Sequence, residues 1–446
     1  MNGTMLRETL HEVLPAEVIE EFAEAAGLVQ RRRKLDPVTL VRSLVMAAGS
    51  DDSGRLADAY ETYLQEAEHE VVRGAFYLWL SDRLVQVMKA LAEHALGVAR
   101  AQEPLLNGLL ARREDWLFVD SETVTLRDSL AAEFPATSKP AGLKVHKVYS
   151  LGRNNTVDYW LSPAREHDAR HLPVSEQWAG KGLIVDLGYA SKKTIADCAR
   201  HGIGLVMRLK DGWKPIVERL YFDGEDTDLG DGIVVDGLVE LKPDAFDGAT
   251  VDADVRIGRT GESVRARMVG IAGPDKYHWY LTLLPRSEFT PEEVAAIYAA
   301  RWEIESDNKC DKGGARLDQI GATTPSSVRI LVHAAMVKTI LTNLLVHRDL
   351  HERKATAPPL HALALLLALA HFTGAIMQQF EEDDARRWDR IARTMRRRAE
   401  DPNWRSRPSP LDRLRGTVAP RGRPKRKCLA ECPDSARSYY VSAKAA

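Results

Sequence analysis

Two short apolar runs, each ending in aspartate, do most to limit what this chain can fold into. In "WLFVD" (116–120) and "GLIVD" (182–186), four residues suited to a buried strand lead to a carboxylate. Between them, "GLKVHKVYSL" (142–151) and "TVDYWLSPA" (156–164) are joined by "GRNN" and read as a hairpin. A helix is expected around 172–180. After the second aspartate, "SKKTIADCARHG" has a helical pattern and "IGLVMRLK" (203–210) is a further strand. Residues 116–210 thus read strand-strand-strand-helix-strand-helix-strand, a mixed α/β sheet. The carboxyl ends of strands are where such sheets place ligands, so Asp120 and Asp186 are the first site candidates.

The flanks differ in character. Residues 1–110 read as all-helical, with helical periodicity in "VIEEFAEAAGLV", "PVTLVRSLVMAAG" and "RLVQVMKALAEHALGV". A basic cluster, "QRRRK" (30–34), lies between two of these helices. From 211 to 288 the helical period is lost. "GIVVDGLVEL", "VDADVRIG", "SVRARMVGIAG" and "YHWYLTLLP" read as strands split by Gly and Asp turns, "RTGE" among them. "TPEEV" (290–294) is a capping box that opens a helix. Helices follow to about 380, then an Arg- and Pro-rich segment. No internal repeat is visible.

At 446 residues, 44% hydrophobic and 28% charged, the chain has ample material for two to four domains. The N-terminus lacks a signal-peptide pattern. The longest apolar run, "ALALLLALAHF" (362–372), is too short for a membrane span and reads as a buried helix. Four cysteines fit a reducing compartment, and Cys428 and Cys432 have no companions that complete a zinc site. A cytoplasmic protein with no membrane partner is expected. The net charge of −2 hides a polarisation: Arg386–Lys427 holds 16 Lys/Arg against 4 Asp/Glu, leaving the rest at −14. A localised polyanion contact has this footprint.

A third carboxylate stands on the helix that "TPEEV" opens. In "IYAARWEIESDNKCDK" (297–312), a continuous helix at ~100° per residue puts Tyr298, Arg301, Glu305 and Lys312 within about 60° of arc. Glu303, Asp307 and Asp311 point elsewhere, so alanine at Glu303 or Asp311 is expected to be mild. Three converging carboxylates would repel one another without cations among them. Oxygen donors of this kind suit Mg²⁺ or Mn²⁺ rather than zinc. Two such ions about 3.5–4 Å apart activate water and stabilise the leaving oxygen of a phosphodiester.

Tyr298-x2-Arg301-x3-Glu305-x6-Lys312 resembles, spacing for spacing, the Tyr-Arg-Glu-Lys signature of the insertion-sequence-four family of DDE transposases. "FVDSETVTL" is similar to that family's first-Asp region. "LIVDLGYASKKTI" with "GIGLVMRLK" is similar to its second. The resemblance covers about 116–345 and implies a ribonuclease H-like core interrupted by a β-rich insertion. Its implied layout is a helical DNA-binding domain at 1–112, the core's first part at 113–210 and the insertion at 211–288. The helix with the catalytic Glu and the next helix follow at 289–346, then C-terminal helices and a basic tail at 347–446. The resemblance also implies cut-and-paste transposition. Asp120, Asp186 and Glu305 would hold two Mg²⁺ (or Mn²⁺) ions, and freed 3′-OH ends would join target DNA. Some relatives pass through a DNA hairpin with a flipped base. Tyr298, Arg301 and Lys312 would grip phosphates. The chain departs from the family after Glu305, where "SDNK" replaces residues that are usually apolar, and "GG" directly follows Lys312.

Secondary candidates for DNA contact are Arg208 and Lys210 at the end of a core strand and Trp279 or Tyr277 for stacking on a base. Arg31, Arg32 and Arg33 of the basic cluster belong to the part that would read terminal inverted repeats in double-stranded DNA. His146 and His167 read as structural. The helices of 326–380 offer a surface for a homodimer, since transposition pairs two ends. A nuclease or resolvase without strand joining, and a catalytically inactive DNA-binding relative, are the rival readings.

Overall fold

The computed structural model describes residues 1–29, 35–49, 55–222, 225–258, 263–353, 357–401 and Leu414. The basic cluster with Arg31, Arg32 and Arg33, the "RTGE" turn, Cys428, Cys432 and nearly all of the basic segment past 401 lie outside the described residues.

Among the described residues, six helices come first: α1 (Gly3–Val13), α2 (Ala16–Ala25), α3 (Pro37–Met46), α4 (Arg55–Glu66), α5 (Arg73–Leu78) and α6 (Asp82–Ala101). Local chemistry sets their starts. Asn2 accepts from the Met5 N–H, and Asp36 accepts from Val38 N–H ahead of Pro37. Next come β1 (Trp116–Thr125), β2 (Gly142–Ser150), β3 (Asn155–Pro163), β4 (Gly182–Val185), α7 (Lys192–Arg200) and β5 (Gly204–Arg208). The strand-rich stretch contains β6 (Ile216–Phe222), β7 (Glu225–Val234), β8 (Val251–Ile257), β9 (Val264–Ala272) and β10 (Tyr277–Thr282). The chain closes with α8 (Pro291–Ala299), α9 (Trp302–Lys309), α10 (Pro325–Glu352), α11 (Ala362–His371), α12 (Thr373–Glu382) and α13 (Ala385–Ala399).

The ten strands among the described residues form one mixed sheet in the order β3-β2-β1-β4-β5-β10-β9-β8-β6-β7. β1, β4 and β5 are parallel neighbours; the other pairings are antiparallel. The strands after 211 therefore extend the first sheet through β10, whose Tyr280 pairs with Arg208.

Three expectations are corrected. No α-helix forms at 172–180: Pro173 and Gly180, the latter at φ +73°, bracket a single 3-10 turn at Glu176–Trp178. The strand expected at 232–241 starts earlier, as β7, and stops at Val234. Gly237 then turns the chain at φ +69°. β1 does not end at Asp120, because β2 continues to pair with it as far as Thr125↔Gly142.

Helices from the two ends of the chain share one core. Leu6, Leu10, Val41 and Leu91 pack in the same cluster as Ile340, Leu344 and Trp388. α10 is long and apolar enough to cross a membrane, but its apolar stretch is wholly buried in the fold. It is the hub between the helical body and the sheet. Its Lys338 Nζ donates to Met46 O and Ala48 O at the end of α3, at 2.5 and 2.6 Å.

Candidate active site

Asp120 and Asp186 stand at matched positions on adjacent parallel strands. The β1–β4 register runs Trp116↔Gly182 to Val119↔Val185. The next residue on each strand is the aspartate. Asp186 leaves the sheet into a 3-10 turn at Leu187–Tyr189, whereas Asp120 stays in β1 opposite Lys147 of β2. Pairing with β2 thus holds Asp120 at the point where its parallel neighbour turns away. Tyr189 anchors that turn from the other face of the sheet. Its hydroxyl meets His146 Nδ1 at 2.8 Å, while His146 Nε2 meets Ser162 Oγ at 2.8 Å. His146 is structural, and burial pushes its pKa down to about 4. His167 is exposed and precedes a short 3-10 turn.

The helix carrying the third carboxylate is broken, contrary to the continuous helix expected. α8 ends at Ala299 and α9 begins at Trp302. Ala300 and Arg301 bond three residues back, to Ile297 O and Tyr298 O. A second irregularity follows α9: residues Cys310–Gly314 form a π turn closed by Ala315 N–H to Cys310 O. The four signature residues therefore do not form one exposed stripe. Tyr298 is 1% exposed and packs on Tyr280 at 5.3 Å. Arg301 and Glu305 are half-buried and paired at 2.5 Å, and Lys312 on the π turn is the most open of the four.

Arg301 is paired with Glu305 and also feels the charges of Asp186 and Asp120. One turn beyond Glu305, Asn308 Nδ2 donates to Asp120 Oδ2 at 2.8 Å. The Asp120 carboxyl is pushed above its usual range by burial first, then by the Asp186 charge. The Ser121 N–H and the Arg301 and Lys147 cations oppose this. Among the described residues, no three His, Cys, Asp or Glu stand close enough to hold a metal ion as arranged.

Behind this site lies a charged interior that the sequence reading missed. Lys147 is fully buried, with Nζ 2.7 Å from Asp307 Oδ2 and 2.5 Å from Asp311 Oδ2. Asn343 and Thr339 of α10 satisfy the other oxygens of the two aspartates at 2.7 Å each. Glu122, two residues along the same face of β1 as Asp120, is also buried. Burial and then the Asp311 charge lift its pKa to about 8, against Lys147 and Lys312. Asp311 does point away from the signature residues, but into the core, so an alanine there is not mild. The "SDNK" departure has its explanation here: Asp307 meets a buried lysine where an apolar residue would meet an apolar core.

Arg208 pairs in the sheet with Tyr280, whose ring packs on Tyr298, and its Nη2 is 3.0 Å from His278 Nδ1. Lys210 is partly exposed just beyond β5. Trp279 is corrected: it is 4% exposed and stacks on Tyr277, with its ring over Gly270, where any Cβ would collide at 2.4 Å. Both aromatics are core residues, unavailable to a base.

Residues 112–343, more than half of the chain, match the transposase DDE domain. The chain belongs to the DDE transposase family. A curated relative, the transposase for insertion sequence element IS421 from Escherichia coli, is 24% identical over 372 residues, covering 75% of this chain and 92% of its own. A cryo-EM structure of piggyBac transposase in a synaptic complex with hairpin DNA aligns over 97% of this chain and 91% of its own. Its TM-score is 0.42 at 10% identity. The family match spans Asp120, Asp186 and Glu305, and also Lys147, Asn308 and most of α10. The one sequence signal for the missed residues was charge out of place: a lysine within "GLKVHKVYSL" and a polar run after Glu305.

Proposed function

We propose that this member of the DDE transposases cuts the ends of an insertion sequence and joins the freed 3′-OH ends to target DNA. The observation that carries the reading is the pair Asp120 and Asp186, each directly after the last matched register position of the parallel strands β1 and β4, with the Arg301–Glu305 ion pair at the start of α9. The strand order β3-β2-β1-β4-β5, parallel from β1 to β5, supports a ribonuclease H-like core. The spacing of Tyr298, Arg301, Glu305 and Lys312 supports membership of the insertion-sequence-four group.

The donor set fits hard divalent cations. Asp120 and Asp186 follow matched register positions on adjacent parallel strands, and oxygen donors so placed suit a hard divalent cation. Asp120, Asp186 and Glu305 would hold Mg²⁺, with Mn²⁺ as a substitute. When bound, two such ions supply a nucleophilic oxygen and stabilise the leaving oxygen. The chain's own residues do the rest. Asn308 orients Asp120 through its hydrogen bond. Arg301 and Lys312 would bind phosphate oxygens beside the cleaved bond, with Arg208 and Lys210 further along. Tyr298 packs beneath Arg301 and sets its position. We assign end recognition to residues 1–112, including Arg31, Arg32 and Arg33, and infer a homodimer on paired DNA ends in the cytoplasm.

The test is an end-joining assay with the full chain, duplexes bearing the element's terminal repeats, a target plasmid and Mg²⁺. Joined products with 3′ ends in the target are expected. Cleavage without joining would make the protein a nuclease or resolvase.

A further inference from the structure

α13 buries Trp388, Ile391, Ala392, Met395 and Ala399 and packs on α1, α11 and α12. Its arginines fall into two groups. Three are engaged: Arg387 with Glu382, Arg396 with Asp349 and Glu400, and Arg398 over the Phe372 ring at 5.5 Å. The other four, Arg386, Arg390, Arg393 and Arg397, are exposed and have no carboxylate partner among the described residues. Arg393 reaches only Asp389 O of its own helix, at 3.2 Å.

These four recur at i, i+4, i+7 and i+11, within about 60° of arc and opposite the buried face. They span roughly 16 Å at 1.5 Å per residue. The flanking Asp389 is occupied, because its Oδ1 accepts from Gly3 N–H at 2.9 Å. Like charges at i, i+4 repel one another along such a row, so helix stability alone does not account for it. Every position is arginine, the side chain whose planar fork suits phosphate oxygens.

We propose that the outer face of α13 is a docking surface for the phosphate backbone of duplex DNA, separate from the active site. The inference rests on the reading that this chain acts on DNA. Over its length the row faces about five phosphates of one strand at ~3.4 Å of rise each. It carries no Asn or Gln with which to read a base edge, so the contact is independent of sequence.

The experiment is a salt titration of duplex binding by the full chain, on terminal-repeat and random duplexes. The variant carries Arg386→Gln, Arg390→Gln, Arg393→Gln and Arg397→Gln, all tolerated by an exposed helix. A companion variant has Lys at all four positions. The Gln variant should flatten the plot of log affinity against log salt by roughly 3.6 if each arginine meets one phosphate, at about 0.9 per contact. Both duplexes should weaken alike, and the Lys variant should keep a slope near wild type. Equal thermal midpoints establish that the variants fold. An unchanged slope in the Gln variant, while wild type still binds and cleaves, overturns the surface and leaves the proposed activity standing. Lost binding to anionic lipid vesicles with duplex binding intact would overturn it in favour of a membrane. A wild type that binds no duplex fails both readings.

Discussion

Lys147 holds together three carboxylates that would otherwise be buried at close range. Removing its charge leaves Asp307 and Asp311 without a counterion, and breaking a buried pair this way costs about 3–5 kcal/mol. Lys147→Met should lower the urea midpoint accordingly. The triple variant with Asp307→Asn and Asp311→Asn should recover most of the loss, since no buried charge then remains unpaired. Asp120→Asn should behave oppositely. The folded state raises this carboxyl's pKa, so it disfavours the charge at neutral pH, and the amide should be at least as stable in thermal unfolding. Asp120, Asp186, Arg301 and Glu305 are proposed from local signals, apolar strand runs and helix spacing, that single letters carry. The partnership of Lys147 with Asp307 was not: 160 residues separate them, and neither local pattern names the other.

Elements were legible where their pattern is regular and lost where the backbone bends. α3, α6, α7, β2, β3 and β5 follow their periodicity to within a few residues. The break at Ala300–Arg301 and the π turn at 310–314 left no such mark, though Gly313 and Gly314 hint at the second. Gly314 admits a close approach between elements. A Cβ at Gly49, whose φ is +88°, would meet Gly314 O at 2.1 Å. The end of α3 thus rests directly on the backbone that carries Lys312. Gly49→Ala should destabilise by more than the ~1–3 kcal/mol of ordinary overpacking, because backbone rather than a flexible side chain must move. Cleavage should fall with it; an unchanged melting temperature would show that the two turns do not touch. α10 adds a pH dependence. Burial lowers His333, which is hydrogen-bonded to the Tyr159 hydroxyl, from 6.5 to about 4. Between these values the unfolded chain binds more protons at this site, so stability is full above pH 6.5 and declines as pH falls toward 4. At about 1.4 kcal/mol per unit, His333→Gln should flatten that decline by up to ~3 kcal/mol in urea titrations. An equal slope in the variant would contradict the assignment.

At the scale of the whole molecule, the helices of residues 1–101 and 330–399 form one body around α10, and the ten-stranded sheet presents the site against it. Periodicity marked residues 1–110 and the stretch to about 380 as helical but missed α13, which lies in the segment read as an Arg- and Pro-rich tail, and it could not reveal that the two ends share a core, because amphipathic helices do not specify their partners. Ending the chain before α13 should accordingly cost stability as well as basic charge, since Trp388 is 1% exposed within that body; losing a buried aromatic alone costs about 3–5 kcal/mol. The central claim remains that Asp120, Asp186 and Glu305 act as one metal-holding site. Its most direct measurement is Mg²⁺-dependent cleavage of terminal-repeat duplex by Asp120→Asn, Asp186→Asn and Glu305→Gln, each checked for duplex binding and thermal midpoint. All three should lose cleavage while binding DNA and melting close to the wild type. Near-normal cleavage by any one of them would remove that residue from the site and contradict the account.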